Sequence, residues 1–454
     1  MSQYRLAIIV LAAGKGTRMR SDLPKVMHKL AGRSLLDHVL ANCAALSPDR
    51  IVVVVGPGMP SVEAAAKPHA VALQAEQKGT GHAVGAARAA LADAAFEDVL
   101  IVYGDTPLIT IETLQRMIAE RRERNAAAVV LGMRVARPNA YGRLMLDAEG
   151  NLAEIVEAAE ATPEQLAVTL CNSGVMAVDG AVLFDLIGRI SADNAKGEYY
   201  LTDLIGLARH DGRIARVIEA PEEELAGVDS RALQATAEAI LQQRLRRRAM
   251  EGGATLTDPG SVFLCADTVL GRDVVIGPNV VFGPGVTIED GVEIKPFCHI
   301  EGTIIRRSAI IGPFARLRPD SEVGAGAHVG NFVELKNAWL GEAAKANHLA
   351  YLGDTEIGAR SNIGAGAITC NYDGFFKHRT VIGEDVFIGT NTSLVAPLTL
   401  GKGASTAAGS VITHDVEPDA FAIGRARQTD KPGYAARFRE ERRRAKAAAR
   451  GNKE

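Results

Sequence analysis

The chain has 454 residues, with 51 Lys plus Arg against 54 Asp plus Glu, and at ~150 residues per domain it has room for two or three domains with full cores. The balanced charge draws it to neither nucleic acid nor a membrane surface. Its five cysteines, Cys43, Cys171, Cys265, Cys298 and Cys370, form no CxxC pair and no cluster with His, so neither a zinc site nor a disulfide framework is expected. The longest apolar runs, Leu6 to Ala13 and Ile51 to Val55, fall short of the ~20 residues that span a bilayer. Arg5 before an apolar stretch is weak as a signal peptide, because the stretch is short and flows into a motif, and a cytoplasmic protein is expected.

From the N-terminus to about residue 220, strand-like runs (Ala7 to Leu11, Ile51 to Val55, Val99 to Val102, Ala128 to Leu131) alternate with helical stretches rich in Ala and Leu. This βαβ grammar predicts a mostly parallel, Rossmann-like sheet over residues 1–227. Residues 228–251 are Ala, Leu, Gln and Arg with almost no breakers, which predicts a connecting helix.

Beyond Gly252 the period changes. Leu270, Ile276, Phe282, Ile288, Ile294 and Ile300 recur every six residues, with Val274, Val280, Val286, Val292, Cys298 and Ile304 four positions later. The register slips by one and resumes at Ile311, Leu317, Val323, Val329 and Leu335, then returns at Ile382, Ile388, Leu394, Leu400, Thr406 and Ile412. Hexads of this kind predict a parallel β-helix over residues 252–433, three hexads to a triangular coil. Gly271, Gly277, Gly283, Gly312, Gly324 and Gly383 are expected at tight corners, where glycine takes backbone angles other residues cannot. The hexads break between Cys370 and Thr380, which is expected to project as a loop, and residues 434–454 read as a basic, solvated helical tail.

The first strand runs into Ala12-Ala-Gly-Lys-Gly-Thr-Arg-Met, with Pro24-Lys25 shortly after. A strand feeding a glycine-rich turn places backbone N–H groups where phosphate oxygens bind. The turn lacks the third glycine of a dinucleotide fingerprint and the spacing of a P-loop. Leu11 to Met19 with Pro24-Lys25 resembles instead the signature loop of sugar-phosphate nucleotidyltransferases. Together with the hexads, the chain is similar over nearly its whole length to the bacterial bifunctional N-acetylglucosamine-1-phosphate uridylyltransferases/glucosamine-1-phosphate N-acetyltransferases. The resemblance implies a left-handed β-helix, a homotrimer, and two reactions that make UDP-N-acetylglucosamine, a precursor of peptidoglycan and lipopolysaccharide.

In the uridylyl transfer it implies, the phosphate of N-acetylglucosamine 1-phosphate attacks the α-phosphorus of UTP and releases pyrophosphate, with cations along the triphosphate and Mg²⁺ on it. Arg18 and Lys25 match the family's phosphate-contacting catalytic positions, and Leu11, Ala12 and Gly14 its nucleotide loop. Gln74, Gly79 and Thr80 match the uracil-reading segment, Gln74 offering amide donor and acceptor to the base. Gly142, Glu157 and Asn172 match the acetamido-sugar pocket. Asp105, at the carboxyl edge of its strand, matches a magnesium ligand. Its usual family partner is an Asn, whereas this chain has Asp229, a departure that bears on metal affinity while keeping a hard oxygen donor. Gly197 to Asp203 matches a further family stretch to which no chemistry is assigned.

For the second reaction the resemblance rests on Phe314-Ala-Arg-Leu-Arg-Pro, Asn331-Phe-Val-Glu-Leu-Lys, Asn347-His-Leu-Ala-Tyr and Cys370-Asn-Tyr-Asp-Gly. Acetyl transfer from acetyl-CoA to glucosamine 1-phosphate needs a neutral amine, and His348 matches the general base. Arg318, Lys336 and Lys377 match residues that hold the sugar phosphate, and Tyr351 and Asn362 those that contact the sugar. Ala365, Asn371, Tyr372, Thr390, Ala408 and Arg425 match acetyl-CoA positions, Thr390 replacing a common serine. Two rival readings, a regulatory β-helix and a mere trimerisation scaffold, leave His348, Lys336 and the Asn371-Tyr372 loop without a task. A third keeps UTP but takes a different sugar phosphate.

Overall fold

The computed structural model describes residues 5–136, 141–194 and 196–451. The chain divides into two compact units, residues 1–268 with 282–284 and residues 269–281 with 285–454.

The sheet of the first unit runs in the order Ala215–Glu219, Ala128–Arg134, Leu170–Asp179, Asp98–Tyr103, Leu6–Leu11, Arg50–Val55, Ala70–Leu73. Every pairing along it is parallel except those of Leu170–Asp179, which is antiparallel to both neighbours. Leu6–Leu11 is buried throughout. Its Ile8 and Val10 enter one apolar core with Val53 and Leu100, and its Ala7 and Ile9 enter a second with Val52 and Ile101. A strand apolar on both faces is what a parallel sheet covered on both sides requires. The alternation of the sequence did not announce Leu170–Asp179. Its polar middle, Asn172-Ser-Gly, coincides with a shift of register between Asn172 and Met176, and a bulge of this kind re-aims side chains.

The helix expected over 228–251 spans Arg231–Glu251, with Ser230 accepting from the Leu233 N–H at its start. It belongs to the first unit and is tied to its earlier segments: Glu238 accepts from the Ala31 N–H at 2.8 Å, and Arg244 donates to the Leu108 carbonyl at 2.6 Å.

The second unit is a coil of short parallel strands. Val275 stands against Glu293, three hexads on, and Glu293 against Ile310, one residue short of three. The slip places Ile305 in the core and leaves Ile304 37% exposed, so Ile304 is not the inward hexad residue expected of it. The missing residue is absorbed at Gly302, with φ +52°, and at Thr303, which turns inward and donates to the Glu301 carbonyl at 2.8 Å. From Ile382 to Ile412 the six expected positions are all buried.

The glycines after the aliphatics need a different explanation from the expected one. Among those named, only Gly312 has positive φ. At Gly324 a Cβ would stand 2.6 Å from the Gly341 carbonyl carbon of the next coil, and at Gly383 2.8 Å from the Lys402 nitrogen. Stacked coils leave no room for a side chain there, and the left-handed residue falls two places later, as at Asp273, Asn279, Gly326 and Asp385.

Cys370 to Thr380 does project. Tyr372 and Lys377 bridge in antiparallel fashion, and Phe375 and Phe376 are 86% and 72% exposed. Tyr434–Gly451 is a helix, exposed from residue 434 to residue 449, and the tail's last three residues lie outside the described residues. Among the described residues no helix is long and apolar enough to cross a membrane.

Candidate functional sites

A cavity of about 450 Å³ opens at the carboxyl edge of the first sheet, where ligands of open α/β sheets bind. Leu11, Ala12 and Gly14 line it from the end of the first strand, and Lys25 from the short helix after Pro24. Gly16, with φ +68°, carries no Cβ because one would overlap the Lys25 side chain. Gln74, Gly79, Thr80, Asp105, Glu157 and Asn172 also line it. Gly142 adjoins, since its Cβ would be 3.5 Å from Glu157 Oε1. Arg18 and Asp229 do not line the cavity. They form an ion pair at 2.7 Å, Arg18 being 74% exposed.

The two acidic positions approach each other. The Val228 N–H donates to the Asp105 carbonyl at 2.8 Å, and a Cβ on Gly227 would be 3.8 Å from Asp105 Oδ2. Asp105 is ion-paired with Lys25. Burial raises the Glu157 carboxyl above its ordinary value, against the lowering effects of the Thr202 hydroxyl and Lys196. The Thr202 hydroxyl donates to Glu157 at 3.3 Å.

Sequence reasoning missed part of this wall. Glu198, Tyr200, Leu201 and Thr202 line the cavity, so the Gly197 to Asp203 stretch, left without chemistry, is part of the site. It is held there because the Tyr199 N–H donates to the Lys78 carbonyl and the Gly81 N–H to that of Tyr199, both at 2.8 Å. Gln77 also lines the cavity and donates to the Ala13 carbonyl, tying the uracil-matching segment to the glycine turn. The density of polar residues in 197–203 was a signal, but not of which residues point inward.

In the second unit, successive coils stack one corner of the β-helix into a column. The Leu349 N–H donates to the Asn331 carbonyl, Gly366 to His348, Asn391 to Ala365, and Gly409 to Thr390, at 3.0, 3.3, 2.8 and 2.7 Å. His348, Ala365, Thr390 and Ala408 therefore follow one another along a single edge, one coil apart, at ~4.8 Å per coil. Arg425 continues it, its Cδ 3.7 Å from where a Gly409 Cβ would stand. His348 Nδ1 lies 2.8 Å from Asn331 Oδ1, a partner with no role in the expectations above.

A second group gathers on the adjoining side. Lys336 is in register with Gly353, and Arg318 donates to Glu334 at 2.9 Å one coil before Lys336, since its N–H bonds the Leu335 carbonyl. A Cβ on Gly353 would be 2.5 Å from the Tyr351 hydroxyl and 2.8 Å from Asn371 Nδ2, so glycine there lets Tyr351 and Asn371 converge. Asn371 also donates to Asp354, as does Asn337 at 2.7 Å. Burial would raise the Asp354 carboxyl, but these hydrogen bonds, with Lys377 and Lys336 nearby, hold it below the ordinary range. Asn362 is not brought into this group. It lies on another sheet, between Lys345 and Phe387. Tyr372 is 62% exposed and donates to the Gly374 carbonyl at 2.6 Å.

Residues 8–186 match the MobA-like NTP transferase domain and residues 267–302 the bacterial transferase hexapeptide (six repeats). Over 441 residues the chain is 56% identical to "Bifunctional protein GlmU" of Paramagnetospirillum magneticum, covering 97% of this chain and 98% of that protein. The chain belongs to the bifunctional GlmU family. The protein of that name from Rhodospirillum rubrum is 58% identical over 96% of this chain and 97% of its own length, and that from Ruegeria sp. is 52% identical over 97% and 98%. The resemblance carried by the nucleotide loop and the hexads is thus borne out, and the chain is an enzyme with uridylyltransferase and acetyltransferase activities that make UDP-N-acetylglucosamine.

Proposed function

We propose that the two sites divide the two reactions between the units. The observation that carries this is the assembly, in one cavity, of the glycine turn, Lys25, Gln74, Thr80, Asp105, Glu157 and Asn172, separate from the column headed by His348. In the first site Lys25 and Arg18 lie on the phosphates of UTP, and Gln74 with Gly79 and Thr80 meets the base. Gly142, Glu157 and Asn172 hold the acetamido sugar. Its phosphate oxygen attacks the α-phosphorus, and pyrophosphate leaves without a covalent enzyme intermediate.

Asp105 and Asp229 fit Mg²⁺, a hard cation that takes one or two carboxylates and completes its shell with phosphate and water. Both carboxylates are ion-paired to the basic residues assigned to the phosphates, so an incoming triphosphate can take those cations over. Bound there, Mg²⁺ supplies positive charge against the triphosphate.

In the second site the amine of glucosamine 1-phosphate attacks the thioester carbonyl carbon, the C–S bond breaks, and the amine proton passes to His348. Arg318, Lys336 and Lys377 bind the phosphate and Tyr351 the sugar. Ala365, Thr390, Ala408 and Arg425 line the path of acetyl-CoA with Asn371 and Tyr372. Hexapeptide repeats go with oligomers, and a homotrimer gives Asn362 and the exposed Phe375-Phe376 tip a place against a neighbouring copy. We place the enzyme in the cytoplasm, where UTP and acetyl-CoA are supplied. The test is an assay with glucosamine 1-phosphate, acetyl-CoA, UTP and Mg²⁺ that follows thiol and pyrophosphate separately. Thiol release followed by pyrophosphate is expected; pyrophosphate only from added N-acetylglucosamine 1-phosphate, without thiol, would overturn the second site.

A further inference from the structure

Gln74 lines the nucleotide cavity, yet the residue is only 5% exposed. Its Nε2 donates to the Gly79 carbonyl at 3.0 Å and stands 3.4 Å from His82 Nδ1. A carbonyl oxygen can only accept, so the amide atom facing Gly79 must be the nitrogen, and the orientation of the amide follows. That nitrogen has no lone pair to offer, so His82 Nδ1 is the acceptor and the ring proton sits on Nε2. Both amide hydrogens are therefore directed at protein acceptors. Among the described residues Oε1 has no hydrogen-bond partner, and it is not among the buried unpaired atoms. It is the one polar atom of the Gln74 side chain left free for a ligand of the cavity that this residue lines. The expectation that Gln74 offers the base both a donor and an acceptor is corrected accordingly.

His82 itself is not part of that cavity. It lies on the helix Thr80–Ala86 and borders a separate hollow with Leu73, Gly85, Ile187 and Tyr199. The start of the helix is pinned by the bond from the Gly81 N–H to the Tyr199 carbonyl, and the rings of His82 and Tyr199 lie 6.2 Å apart.

We infer that His82 is a positioning residue which, from behind the nucleotide cavity, holds the Gln74 amide with its carbonyl toward the base and so favours a pyrimidine bearing N–H at ring position 3. Uracil has that hydrogen; cytosine has a bare nitrogen there, which would meet the Gln74 oxygen lone pair to lone pair. This rests on the proposal that Gln74 meets the base.

The experiment is steady-state uridylyl transfer with UTP and with CTP as the varied nucleotide, using the wild type, His82→Ala, His82→Phe, His82→Asn and Gln74→Ala. Phenylalanine keeps the ring and removes the acceptor, whereas asparagine can offer Oδ1 near the place of Nδ1. We expect Ala and Phe each to raise KM for UTP about fivefold, the worth of one neutral hydrogen bond, with kcat little changed. The preference for UTP over CTP in kcat/KM should narrow by a similar factor, and Asn should restore both. Wild-type KM and preference in His82→Phe, with KM raised in Gln74→Ala, would overturn the role of His82 alone. Unchanged KM in Gln74→Ala would overturn base contact by Gln74 and with it this inference. Equal damage in Asn, Ala and Phe, accompanied by a lowered unfolding temperature, would make His82 structural.

Discussion

His348 Nδ1 and Asn331 Oδ1 lie 2.8 Å apart on adjacent coils. An amide oxygen only accepts, so Nδ1 carries the ring proton and Nε2 is left as the basic atom. His348→Ala should lower acetyl transfer by about 10²–10⁴-fold, the range for general-base catalysis, while uridylyl transfer stays intact. Asn331→Ala should cost less, about tenfold, because the ring loses its orienting partner and not its base. Separate thiol and pyrophosphate assays on each variant check this; equal loss of both activities would point to misfolding.

Asp105→Ala should abolish uridylyl transfer and spare acetyl transfer. Asp229→Asn, which restores the residue common in the family, removes the charge that pairs with Arg18 and should raise the Mg²⁺ concentration for half activity severalfold. Titrating Mg²⁺ after chelator treatment measures the shift. An unchanged half-saturation value would remove Asp229 from the metal site.

The Thr202 hydroxyl stabilises the charged form of Glu157, whose carboxyl burial already raises. Thr202→Val should raise that carboxyl further, so that at a given acid pH more of it is protonated, with one oxygen turned from acceptor to donor and the charge that strengthens acceptance from the sugar lost. The acid limb of the uridylyl pH profile should move upward in pH, with KM for N-acetylglucosamine 1-phosphate affected before kcat. A profile superimposable on the wild type would detach Glu157 from sugar binding.

Asp373 ties the projecting loop by accepting from the Phe376 and Phe375 N–H groups and from His378. These contacts, that of the Phe376 N–H foremost, lower its carboxyl to about 2. A carboxyl depressed on folding contributes stability above its ordinary value of 3.8 and loses it as pH falls toward 2. Pepsin, which is active in acid and cuts between aromatic residues, should leave Phe375-Phe376 uncut near pH 4 in the wild type and cleave it there in Asp373→Ala. Cleavage of both proteins at the same pH would mean the carboxylate does not hold the loop.

A Cβ on Gly330 would overlap the Asn347 backbone of the next coil, immediately before His348. Gly330→Ala should therefore destabilise the β-helix by about 1–3 kcal/mol and depress acetyl transfer more than uridylyl transfer. Calorimetry and the two assays test it; an unaltered unfolding temperature would mean that the coils can part at no cost.

Much of this was legible without coordinates. The strand-like run Ala7 to Leu11, alternating with helical stretches, pointed to a mostly parallel sheet, and the hexads pointed to the coil, because each is a local pattern repeated along the chain. The nucleotide loop, Lys25, Asp105 and His348 could be proposed from the sequence because they sit in short contiguous motifs. Side-chain partnerships between distant segments were not legible. Asn331 reaches His348, Thr202 reaches Glu157 and Gln77 reaches Ala13 only because the fold brings separate segments into contact. The corner glycines show the same limit: the sequence placed them, but it took the stacked coils to show that backbone approach, not backbone angle, excludes a side chain. The orientation of the Gln74 amide likewise follows from acceptors that close around it only in the folded chain. Periodicity and motif are properties of one segment and survive in the sequence; hydrogen-bond direction, close approach and ion pairing depend on two segments meeting, and that was decided by the tertiary structure.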